Sequence, residues 1–167
     1  SVQREREAAL QQVGAIFESP AFYDYLSGWQ NLKVLTAYSG GVEKNSMLEV
    51  VEWVGLLKRI HHRVNTYSHG MRQRLALAQA LLPRPKVLIL DEPTSVLTPD
   101  EADEILALLK QQSQAGNLSV LIITHKFREV FGFCDEVTVL RRGRFEATVP
   151  ARDTDAALLG RLRFRRV

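Results

Sequence analysis

The sequence contains a single cysteine, Cys134, so no disulfide forms within the chain, and one thiol fits a reducing compartment. No apolar run approaches the roughly 18–20 residues that a membrane-spanning helix needs. The opening stretch, SVQREREAAL, has no apolar signal-peptide core and no initiator Met, so the chain is read as processed, trimmed or a fragment. There is no internal repeat and no low-complexity linker. The pattern G-x-x-x-x-G-K-[ST] is also missing, because none of the six lysines follows such a glycine spacing. That excludes a self-contained backbone N–H cradle for nucleotide phosphates of this type.

What is present suits one folded domain. Of the 167 residues, 46% are hydrophobic and the formal net charge is only +3, which supplies a core and excludes disorder over most of the length. The basic charge is uneven: residues 141–167 hold eight arginines against Glu146, Asp153 and Asp155. Such a patch suits anionic partners. No aromatic ladder is interleaved with the arginines, so a solvated basic tail is the reading adopted and no nucleic-acid partner is expected.

Residues 1–12 read as helical or loosely ordered. VGAIF (13–17) reads as a short strand ended by Pro20. SMLEVVEWVGLLKRI (46–60) places Met47, Val50, Val51, Val54 and Leu57 on one helical face, with Asn45 or Ser46 as the cap. A second helix is expected from about Gly70 to Leu82, stopping before PRP. KVLIL (86–90) and VLIIT (120–124) are continuous apolar runs, the pattern of strands buried on both faces of a parallel sheet. Between them, TPDE (98–101) predicts a capping box, and the helix it opens runs to about Gln114 and buries Ile105, Leu108 and Leu109. EVTVL and RFEATV flank RRGR and predict a hairpin near the sheet edge. Alternating helices and strands make the class α/β with a mainly parallel sheet.

Chemistry concentrates between Tyr67 and His125. KVLIL ends in Asp91 and Glu92, two carboxylates at the carboxyl end of a strand, where open α/β sheets bind ligands. Asp91 suits Mg²⁺ and Glu92 suits polarisation of a water toward a phosphoryl group, or the pair is simply a polar strand terminus. Ser68 lies 23 residues before Asp91, at a helix start with Gly70 two positions on. It is either an ordinary N-cap or an anion contact that uses its hydroxyl and free N–H groups. His125, 34 residues after Asp91, sits just past an apolar strand, a position that structural histidines also take. His61 and His62 are adjacent and make a poor metal site, so they are read as solvent-facing.

In this order and spacing the features resemble the ATP-binding-cassette (ABC) nucleotide-binding domain, over about Gln11 to Arg144. YSHGM resembles the signature motif usually written LSGGQ, and VLILDE resembles Walker B. SVLT (95–98) falls at the D-loop, and VGAIFESPAFYDYLSGWQNL resembles the Q-loop region and the start of the helical subdomain that faces a transmembrane partner. The resemblance implies a P-loop-NTPase-like ABC ATPase fold with a helical subdomain, N-terminally truncated. It implies ATP and Mg²⁺ as cofactors, with Asp91 the Mg²⁺ residue, Glu92 the general base and His125 the contact to the γ-phosphate. It further implies nucleotide contacts from Ser68, Gly70 and, at the Q-loop glutamine position, Glu18. In that family Ser68 and Gly70 would act on the nucleotide of a partner subunit, and Asp91, Glu92 and His125 on the chain's own.

The sequence departs from the family pattern at four points. It has no P-loop. Glu18 replaces the Q-loop glutamine, His69 and Met71 replace a glycine and the glutamine of the signature, and Thr98 replaces the D-loop aspartate. Residues 13–93 resemble drug- and peptide-exporter subunits, whereas residues 94–145 resemble sugar and nucleoside importer subunits.

The expectation is therefore a single partial ABC ATPase domain over residues 1–167. It would have a helical and signature subdomain at about 20–82, a Walker B to H-loop core at about 83–149, and a basic tail at 150–167. Its complete form would couple ATP hydrolysis to transmembrane transport, while these residues alone would neither bind ATP tightly nor hydrolyse it. The implied partners are a transmembrane permease subunit and a second ABC ATPase domain, in a homo- or heterodimer on the cytoplasmic face of the cell membrane. The alternative is a P-loop-less regulatory or structural partner of an intact ABC ATPase. A soluble ABC ATPase of DNA repair or translation fits less well, because no sustained heptads appear.

Overall fold

The structure is a computed structural model that describes residues 5–17, 20–37 and 40–164. It divides into two compact units, Ser1–Ile123 and Thr124–Val167.

The first unit is built on a three-stranded parallel sheet in the order β1 (Val13–Ile16), β2 (Val87–Asp91), β3 (Ser119–Ile123). β2 is central and pairs Ile16 with Leu90 on one side and Asp91 with Ile123 on the other. Alternation of side chains sends Leu88 and Leu90 into the core, both essentially fully buried. A long helix, α4 (His69–Leu81), packs on β1 over Gly14. A Cβ at Gly14 would collide with the Ala80 carbonyl, so glycine is what lets helix and strand come together. The helix α5 (Pro99–Gln114) contacts β3 and buries Ala102, Ile105, Leu106 and Leu109. Its capping box is formed as expected: Glu101 N donates to Thr98 Oγ1 and Thr98 N donates to Glu101 Oε2. Leu108 is only half-buried, and Leu106 takes the inward position.

Two expectations for this unit need correction. The 46–60 helix is shorter: α3 spans Lys44–Trp53, and Gly55 at φ +74° breaks it in the left-handed position that helix ends favour. The turns that follow bury Leu56 and Ile60 and leave Leu57 exposed, and the N-cap is Glu43 without a side-chain cap bond. The strands are also not buried on both faces. Leu121 and Ile123 are 54% and 51% exposed on the sheet face opposite Leu88 and Leu90. A run of apolar residues reports strand propensity, not whether a second layer lies above it.

The helix α1 (Arg6–Leu10) precedes β1, and α2 (Gly28–Ala37) and α3 lie between β1 and α4 in chain order. The start of α2 is a second capping box, in SGWQ: Gln30 N donates to Ser27 Oγ at 3.1 Å and Ser27 N donates to Gln30 Oε1 at 2.9 Å. Asn31 is fully buried, and its amide donates to the Tyr23 and Ser27 carbonyls while its oxygen accepts from Tyr23 N. These bonds fix the entry of the chain into α2.

The second unit holds α6 (Phe127–Phe133), the antiparallel pair β4 (Glu136–Arg141) and β5 (Arg144–Pro150), and α7 (Ala156–Phe164). The hairpin is present and forms a two-stranded sheet of its own. Its turn residues, Arg142 and Gly143, have φ of 49° and 75°, the double left-handed geometry that matches strand twist. The region read as a solvated basic tail carries α7, which packs on β4 with Leu159 buried. The arginine count in this segment hid the apolar AALL within it.

Candidate functional site

The candidate site begins at the N-terminus of α4. Ser68 is extended, at φ −67° and ψ 166°, and its Oγ accepts the Met71 N–H at 3.2 Å. That is N-cap geometry, and it leaves the other N–H groups of the first turn without helical partners. Ser68 and His69 are exposed and Gly70 is buried. Just before the cap, Tyr67 is buried and its hydroxyl donates to the Arg59 carbonyl at 2.8 Å. Burial pushes the Tyr67 phenol above its ordinary range, partly offset by the Arg59 charge and a backbone hydrogen bond involving Gly28. Gly28 has no Cβ because one would collide with that hydroxyl. The phenol thus fastens the turn before α4 to the start of α2.

Asp91 is the last residue of β2 and is half-buried. Glu92 follows at φ +47°, a left-handed conformation that L residues with a Cβ seldom adopt. Its backbone is held on both sides: Glu92 N donates to the Ile123 carbonyl at 2.9 Å, and the Glu92 carbonyl accepts from Ser95 N at 3.1 Å. The left-handed kink ends the strand at Asp91, so the two carboxylates part from the alternating strand pattern at the sheet's carboxyl end. Ser95 Oγ is buried with no hydrogen-bond partner among the described residues.

Two contacts join the α4 turn to this loop, and neither was anticipated from sequence. Gln73 is 3% exposed, and its Nε2 donates to the Pro93 carbonyl at 2.8 Å. Gly70, one turn earlier, lies against the Glu101 carboxylate, which fills the space where a Cβ would stand. The only available signals were a polar residue on the apolar face of a helix, for Gln73, and the capping-box spacing, for Glu101. Arg74 extends the network, donating to the Val54 carbonyl at 3.0 Å and pairing with Glu104. Arg72 pairs with Asp24 at 2.8 Å.

Ser68, Gly70, Asp91 and Glu92 therefore all belong to the first unit, with α4 bonded to the loop after Glu92. His125 belongs to the second unit, is exposed, and lies two residues past Ile123, the strand partner of Asp91. Glu18 lies outside the described residues. His61 and His62 are exposed, and among the described residues no group of three or more His, Cys, Asp or Glu could hold a metal ion. A groove lined by Val50, Trp53, Leu81, Pro85 and Leu118 opens at the other end of the strands, away from Asp91. No helix among the described residues is long and apolar enough to cross a membrane.

A capped helix start bonded to the loop behind a strand-terminal Asp-Glu pair can be set against known proteins. The ABC transporter family model matches residues 1–95. The chain belongs to the ABC transporter family. YdbJ, an ABC transporter ATP-binding protein of Bacillus subtilis (strain 168), is 46% identical over 151 residues, covering 90% of this chain and 49% of that protein. The bacitracin transport ATP-binding protein BcrA of Enterococcus faecalis is 37% identical over 132 residues, covering 79% of this chain and 43% of that one. Among solved structures, cbiO1 of Clostridium perfringens, described as part of the ABC transporter complex cbiONQ, superposes with a TM-score of 0.81. It is 24% identical and covers 98% of this chain and 68% of its own, which establishes the ABC ATPase fold. The ABC chain spans about half the length of the curated relatives it matches.

Proposed function

We propose that this chain is part of the ATP-binding subunit of an ABC transporter, which couples ATP binding and hydrolysis to transmembrane transport. The observation that carries the reading is the join between the two halves of the site. The capped turn at Ser68–Gly70 is bonded, through Gln73 to Pro93, to the loop that follows Asp91 and Glu92. This ABC chain would work on two nucleotides. Exposed Ser68 and the N–H groups of the first turn of α4 suit the terminal phosphates of a nucleotide held by a second ATPase subunit. Asp91 and Glu92 face the chain's own nucleotide.

Asp91 fits a Mg²⁺ ion. It offers hard carboxylate oxygens from a half-buried strand end, the donor type of an ion bound by one or two carboxylates and substrate phosphates. When bound, the ion neutralises phosphate charge. Glu92, at the left-handed turn that ends β2, orients and deprotonates the attacking water. His125, beyond the strand partner of Asp91, contacts the γ-phosphate. Glu18 takes the Q-loop position. The subunit sits at the cytoplasmic face of the membrane against a permease subunit.

The test is ATP turnover by the complete protein with Glu92→Gln. Loss of a general base is expected to lower kcat by about 100-fold or more while nucleotide still binds. Unchanged turnover would remove Glu92 from the mechanism.

A further inference from the structure

We propose that Gln73 is a positioning residue through which the Ser68–Gly70 turn sets the backbone of Glu92. For its functional meaning the inference rests on the nucleotide reading above; its structural content does not. Gly70 and Gln73 stand one helical turn apart on the buried face of α4, and each touches a different end of the segment after β2. Gln73 Nε2 holds the Pro93 carbonyl at 2.8 Å, directly after Glu92. Gly70 packs on Glu101, whose carboxylate in turn accepts the Thr98 N–H at 3.1 Å. The segment 93–101 is thereby gripped at both ends by the first two turns of one helix.

Glu92 is where such a grip has an effect. A left-handed φ of +47° at a residue with a Cβ is disfavoured by about 1–2 kcal/mol and persists only where its surroundings hold it. The hydrogen bonds around it include Glu92 N to the Ile123 carbonyl, Ser95 N to the Glu92 carbonyl, and Gln73 to the Pro93 carbonyl. The first two come from the strand and from the loop itself. The third comes from α4. A helix transmits a displacement of its first turn along its axis with little loss, because its internal bonds are all made. When phosphate engages the turn at Ser68, Gln73 moves with it, and the peptide after Glu92 follows. Glu92 is thus aimed according to whether the partner's nucleotide is engaged.

The link can be read on this chain without nucleotide, so its failure is distinguishable from failure of the ATP reading. Gln73→Met keeps side-chain length and burial but removes the donor. Amide hydrogen exchange at Glu92 and Ser95, followed by NMR, is expected to rise roughly three- to ten-fold, the worth of one hydrogen bond. The Glu92 ¹³Cα shift, which reports φ, should move, while the α5 amide of Leu106 should change less than about two-fold. Ser68→Ala, which loosens the first turn, should shift the Glu92 signals in the parent and leave them unmoved in the Gln73→Met background. Unaltered Glu92 and Ser95 signals in Gln73→Met overturn the proposal. So does a rise spread evenly over β2 and α5, which marks a general stability role, and so does a Ser68→Ala effect that survives Gln73→Met.

Discussion

At the scale of single residues, the turn that carries Ser68 depends on groups beside it as much as on itself. Tyr67 is the example. Its buried hydroxyl, bonded to the Arg59 carbonyl, fixes the chain just before the helix cap, and burial raises the phenol's pKa. A raised folded-state pKa means the folded chain holds its proton more tightly than the unfolded one. The stabilisation is therefore fully present below the unfolded value of about 10 and is lost as pH climbs past it. Tyr67→Phe removes both the bond and the titration. It should lower unfolding free energy by about 1 kcal/mol at pH 8, and the gap from the parent should narrow over a window that opens at about pH 10. Urea titrations below and within that window check this, and a constant gap would contradict it.

At the scale of elements, strands and helices were legible in the sequence in proportion to how local their signals are. Ser68 as N-cap and the TPDE capping box are read from four residues and appear as expected. The stop of α3 at Trp53 was missed because Gly55 sits in an apolar run whose periodicity continues past it. For side-chain contacts between elements, such as Gln73 with Pro93, the local sequence does not name the partner, since the two are 20 residues apart. The expectation of strands buried on both faces failed for the same reason: Leu121 and Ile123 have no layer above them among the described residues. That exposed apolar face should make the isolated chain self-associate. Leu121→Glu is expected to weaken the association roughly ten- to hundred-fold, since burying a Leu side chain is worth about 1.5–3 kcal/mol. Sedimentation across a concentration series reads the shift, and equal self-association of parent and variant would contradict it.

At the scale of the whole molecule, the central claim is a division of labour. In the proposed reading, Asp91 and Glu92 serve the chain's own nucleotide, whereas Ser68 and Gly70 serve the nucleotide of a second subunit. Mixed dimers of the complete protein separate this from a site built within one chain. Glu92→Gln removes the base. Ser68→Glu repels phosphate, and its charge at the helix N-terminus offsets part of the lost serine cap. With Glu92→Gln in one subunit and Ser68→Glu in the other, both defects fall on the same nucleotide and the second site stays intact. With both substitutions in one subunit, each nucleotide meets one defect. ATP turnover by the two mixed dimers is the most direct measurement. The split arrangement should keep turnover at least about ten-fold above the same-subunit arrangement, given the roughly 100-fold loss expected at a site without its base. The reverse order, with activity surviving only when both substitutions share one subunit, would contradict the account.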